Sequence, residues 1–155
     1  MTMTKKWIAV FLLIGSAIYE LSPGPSHFLD NPTGWALREQ LVFLSGTLAL
    51  SLMVLTMLAS SRWAAINRAV GGLDKAYLLH KTSGIYCFIL ALLHWLMEKM
   101  PAWLIAANVL DHPGDLSNGV EFTERQILLF KSGTLIAEMM FYVFSALIVV
   151  ALLKQ

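Results

Sequence analysis

Long apolar runs, separated by short polar segments rich in glycine and proline, predict helices rather than strands along this chain. Trp7–Leu21 is apolar apart from Glu20 near its end, and Leu37–Ser60 has no charge between Glu39 and Arg62. Tyr77–Met97 holds Lys81 as its only internal charge, and Ile127–Leu153 carries Lys131 near its start and Glu138 inside. Runs near the ~20 residues needed to cross a bilayer read as transmembrane helices. The first run is short for a span and follows Lys5 and Lys6, as in a signal-peptide core. Its one small-x-small cleavage candidate, Gly15–Ser16–Ala17, lies inside the apolar stretch, so an uncleaved helix is favoured. The expectation is an all-α integral membrane protein. Its four transmembrane helices, about 7–21, 37–60, 77–97 and 127–153, form a single domain over 1–155. Turn residues at 22–34 and Gly71–Gly72 separate the spans, and segment 99–126 (Asp111, Pro113, Gly114, Asp115, Asn118, Gly119) reads as an external loop.

Composition supports this. Of 155 residues 57% are hydrophobic and 14% charged, against about 25% charged in soluble domains. The length leaves no room for an additional soluble nucleotide-binding domain. A net charge of +1 with no basic run argues against nucleic acid. The single cysteine, Cys87, excludes an intrachain disulfide, a cysteine-rich zinc site and a cysteine-ligated iron–sulfur cluster. Lys5, Lys6, Arg62, Arg68, Lys75 and Lys154 fall in the termini and the 61–76 loop. Arg38, Lys99 and Arg125 lie in the other two connections. By the positive-inside rule both termini are cytoplasmic, and short loops suggest a bacterial inner membrane.

Candidate chemistry rests on His80 and His94. Fourteen positions at ~100° each return to within ~40° of the same helix face, ~21 Å apart along the axis. Such spacing suits two ligand sites stacked across a membrane, and imidazole is a common axial ligand of haem iron. This reads as a transmembrane haem protein that carries electrons through the bilayer. The face they share runs His80, Gly84, Cys87, Ala91, His94, in helical steps of four and three. Its small residues would let a flat macrocycle approach the backbone. The bland alternative is that they mark close helix–helix packing, with structural histidines; against it, ionisable groups inside membranes are usually functional. A proton or metal-ion conduit along His80, His94 and Glu138 is weaker, because the stripe between the histidines is not polar. A bis-histidine site needs a second imidazole at each level. His27 and His112 lie in predicted outer loops, and neither reaches the level of His80. The two, with Asp111 and Asp115, are a weak candidate for an external ferric site. Lys81 suits headgroups or propionates, and Trp35, Trp95 and Trp103 suit interface anchoring.

The run Gly71–Gly72–Leu73–Asp74–Lys75–Ala76–Tyr77–Leu78–Leu79–His80–Lys81–Thr82–Ser83–Gly84–Ile85, followed by His94–Trp95, resembles the ferric reductase-like transmembrane domain, the family of NADPH oxidases and bacterial ferric reductases. The likeness extends from about Leu37 to Leu153. It implies a six-helix bundle in which the third and fifth helices each give two histidines to two b-type haems, with electrons arriving from a cytosolic flavin. Carried over, His80 ligates the cytoplasmic-side haem and His94 the outer one, with Gly84, Cys87, Ala91 and Lys81 lining the cofactor. The sequence departs from that pattern in ending at Gln155, after the fourth predicted helix. The remaining helices are then expected in cis on a longer chain or from a second copy in trans. FAD and NAD(P)H would sit on a reductase domain or subunit elsewhere. The expected function is transmembrane electron transfer to an external acceptor, as the membrane component of an oxidoreductase. The alternative is a non-redox small membrane subunit or assembly partner.

Overall fold

The computed structural model describes residues 2–22, 33–109 and 123–153. Every regular element among them is helical: α1 (Met3–Glu20), α2 (Gly34–Ser60), α3 (Ala64–Val70), α4 (Leu73–Ala106) and α5 (Glu124–Leu153). The chain divides into one unit over Met1–His112 and another over Pro113–Gln155.

Among the described residues three helices, not four, are long and apolar enough to cross a membrane: Gly34–Ser60, Leu73–Ala106 and Glu124–Ala151. This corrects the expected span count. α1 forms, but its 18 residues take in Lys5, Lys6 and Glu20, so no uninterrupted apolar window of spanning length remains. α4 has 34 residues, ~51 Å at the usual rise. That exceeds the ~30 Å hydrocarbon core, and part of the segment expected as loop, 99–106, is helical.

Local chemistry explains the boundaries. Thr33 caps α2, its hydroxyl accepting from the Ala36 N–H at 3.1 Å. The connection after α2 turns through Arg62 at φ 53°. α3 was not expected; it is a short amphipathic helix whose Val70 is 2% exposed. Gly71 ends it at φ 92°, a left-handed conformation in which a side chain would be strained. α5 opens with a capping box: the Thr123 N–H donates to Gln126 Oε1 at 2.9 Å, and the Gln126 N–H to Thr123 Oγ1 at 3.4 Å.

The first unit packs α1 and α4 against α2. Gly15 lets α1 approach closely, since a Cβ there would stand 2.8 Å from Ser51 Oγ. Farther along, Tyr19 OH donates to Gln40 Oε1 at 2.8 Å. Ile8, Leu52, Leu55, Ala59, Val70, Ala76 and Leu79 form the core, concentrated near the His80 end of α4. Most other large apolar side chains are exposed, as expected of surfaces facing lipid rather than water. Three helices of spanning length with largely apolar outer surfaces are those of an integral membrane protein.

Candidate functional site

Three side chains of α4 reach backbone carbonyls of α2. His80 Nδ1 lies 2.9 Å from Thr56 O. Cys87 Sγ donates to Ala49 O at 3.3 Å. His94 Nδ1 lies 2.9 Å from Val42 O. Carbonyl oxygens only accept, so each imidazole donates from Nδ1–H and its Nε2 carries the lone pair. The partners fall at seven-residue intervals on both helices, in opposite order, so α2 and α4 run antiparallel without drift in register. Seven residues is two helical turns, the repeat of left-handed helix pairs.

Both imidazoles are half-buried and held in built seats. At His94 the backbone of Gly46 comes so close that a Cβ there would lie 3.1 Å from Cε1 and 3.2 Å from Nδ1. Ser45, 5% exposed, donates its hydroxyl to Val42 O at 3.0 Å and sits 3.4 Å from His94 Nδ1. At His80, Thr56 Oγ1 donates to Leu52 O at 2.7 Å and lies 3.0 Å from Ser83 Oγ. Ser83 is fully buried, and its hydroxyl also lies 2.7 Å from Leu79 O. A cavity of about 450 Å³ opens beside His80, lined among others by Arg62, Asp74, Tyr77 and Ala59.

One turn past His94, Arg38 repairs a defect in α4. Pro101 has no N–H to give Met97 O, and its ring crowds that carbonyl. Arg38 Nε donates to Met97 O at 3.0 Å and Nη2 to Glu98 O at 3.1 Å. The guanidinium thus supplies donors where the backbone ladder fails. Arg38, expected in the loop before the second span, lies inside α2. Trp95 and Trp103 pack edge to face across the same turn, with centroids 5.6 Å apart.

The stripe read from the sequence is therefore one face, and that face meets α2. Gly84 approaches Thr56, where a Cβ would stand 3.7 Å from Cγ2, and Cys87 bonds Ala49. Small residues here allow the helices to come together, as the packing alternative anticipated. Ala91 and Lys81 are half-buried. In the second unit, Tyr142 OH donates to Glu138 Oε1 at 3.1 Å, one turn away. His27 and His112, with Asp111 and Asp115, lie outside the described residues. Among the described residues no three His, Cys, Asp or Glu side chains converge on a metal-sized site. Sequence reasoning missed Ser45, Gly46, Thr56, Ser83 and Arg38. Ser45, Gly46 and Ala49 are small and share a helical face, a signal comparable to the stripe on α4.

Residues 45–154 match the family described as Ferric reductase like transmembrane component. The chain belongs to that family. The match takes in both histidines, their seats on α2 from Ser45 onward, and all of α5; α1 and Arg38 lie before it. No curated protein and no solved structure matches the chain. Ferric reductase-like membrane components usually bind haem and belong to transmembrane electron transfer, and haem needs little from a helix pair. His80 and His94 would each offer such a group one imidazole nitrogen. An imidazole whose Nδ1–H is fixed to a carbonyl, with Nε2 free to ligate, is the usual arrangement of a metal-bound histidine. The ferric reductase-like residues present fit the group.

Proposed function

We propose that this chain carries electrons across the membrane through two b-type haems held by His80 and His94. The donor is a flavin reductase domain or subunit using NAD(P)H at the His80 end, and the acceptor is external. The observation that carries the reading is the matched pair of Nδ1–H···O=C bonds to Thr56 and Val42. They fix the same tautomer and the same ligating nitrogen at two levels ~21 Å apart. Bound haem supplies one-electron redox chemistry.

The residues of the chain do the rest. Thr56 O and Val42 O orient the rings and raise the basicity of Nε2. The α2·α4 seam closes the face between the histidines with Gly84 and Cys87. Arg62, at the rim of the cavity beside His80, suits a propionate or an anionic flavoprotein surface. The cations Arg62, Arg68 and Lys75 in the connection between α2 and α4 favour a cytoplasmic His80 end. Further helices, in cis or from a second copy in trans, would complete the haem sites.

Packing of Gly84 and Cys87 into the seam favours a second reading, in which the histidines are structural and the chain is a non-redox membrane subunit. Haem content separates the two. His80→Ala is expected to abolish the haem at that end while sparing part of the other, and His94→Ala the converse. Membranes in which neither variant loses haem, or in which the parent chain has none, overturn the proposal.

A further inference from the structure

The two histidine seats differ in a serine hydroxyl: Ser45 Oγ lies 3.4 Å from His94 Nδ1 and donates to the carbonyl that holds the ring. Val42 O accepts from His94 Nδ1–H at 2.9 Å and also from the Ser45 hydroxyl at 3.0 Å. Thr56 O accepts from His80 Nδ1–H at 2.9 Å, while the Thr56 hydroxyl is turned to Leu52 O. Both carbonyls lie within α2, and one that takes an additional side-chain donor is a weaker acceptor for each. The imidazole at His94 is therefore held with less negative character than the one at His80. Electron donation by an axial imidazole stabilises the oxidised iron, and hydrogen bonding around the ligand is one of the protein's levers on potential.

We infer that Ser45 is a positioning residue that sets the potential of the haem at His94. It does so by drawing on the Val42 carbonyl, and it never touches the iron. The inference rests on the haem-ligand reading above. Its consequence is a difference between the two centres written into α2 rather than into the ligand helix. The hydroxyl is buried, so solvent does not substitute for it.

The test is a potentiometric titration of the haem-loaded membrane protein, followed by its absorbance. Ser45→Ala is expected to move one of two reductive steps to lower potential and leave the other in place, with haem content unchanged. Thr47→Val is the control, since the Thr47 hydroxyl donates to Phe43 O and Leu44 O, neither of which holds a histidine. It should move neither step. Ser45→Ala with both steps unmoved, a rise in potential, or an equal shift in Thr47→Val overturns the role of Ser45 while leaving haem ligation intact. Absence of any haem in the parent chain overturns the ligation reading itself, and this inference with it.

Discussion

At Arg38, a cation sits where the hydropathy of α2 gives no reason for one, and the explanation lies on another helix. Pro101 strips Met97 O of its normal donor, and the planar guanidinium serves that carbonyl and Glu98 O together. Arg38→Met is expected to lower stability by less than the ~1–3 kcal/mol of a fully buried carbonyl left unpaired, since Arg38 and Met97 are only half-buried and Glu98 is exposed. Lysine should recover only part, because an ammonium lacks the fork. Pro101→Ala returns an N–H to Met97 O, so it should suppress much of the Arg38→Met defect. Thermal unfolding of the four variants in detergent reads the coupling directly. Gly46 makes a second residue-scale case. A methyl group 3.1–3.2 Å from the His94 ring overpacks the seat, at about 1–3 kcal/mol. If His94 holds haem as proposed, Gly46→Ala should lower haem per protein, measured by pyridine haemochrome, in the parent and in a His80→Ala background but not in His94→Ala. Neither residue was legible as functional from the sequence. Arg38 looked like a topology signal and Gly46 like one of ten glycines, because each acts on a partner more than forty positions away.

Between elements, the lesson concerns α2 and α4. Periodicity in α4 was sufficient to place His80, Gly84, Cys87, Ala91 and His94 on one face, and the structure keeps them there. What that face meets was not legible, since a stripe of small residues suits a macrocycle and a neighbouring helix equally well. The structure gives it to α2. The Thr56–Ser83 contact at 3.0 Å ties the pair together beneath His80. Hydroxyl pairs between membrane helices contribute about 0.6 kcal/mol. A double-mutant cycle of Thr56→Val and Ser83→Ala should return a coupling of that order, and a coupling near zero would mean the hydroxyls are satisfied within their own helices. Boundaries were the weaker part of the sequence reading. The charges of α1 removed a span, α3 with its seven residues is too short to stand out in the loop, and α4 continues through Pro101 into the segment expected as loop.

For the whole molecule, membrane character and family follow from different evidence and agree. Composition and three spanning helices put the chain in the bilayer, and the family match covers the histidine-bearing helix and α2 from Ser45 onward. Orientation is testable in a Cys87→Ser background. Trp63→Cys and Val109→Cys, at opposite ends of the helix pair, should react with a membrane-impermeant thiol reagent from the cytoplasmic and external faces respectively. The reverse pattern would invert the proposed direction of electron flow. The central claim is that His80 and His94 hold haem through Nε2. It is tested most directly by a reduced-minus-oxidised absorbance spectrum of the purified membrane protein, with haem counted per polypeptide. A low-spin, six-coordinate b-type spectrum that diminishes in His80→Ala and in His94→Ala is expected. A folded, membrane-inserted protein with no haem absorbance would contradict it.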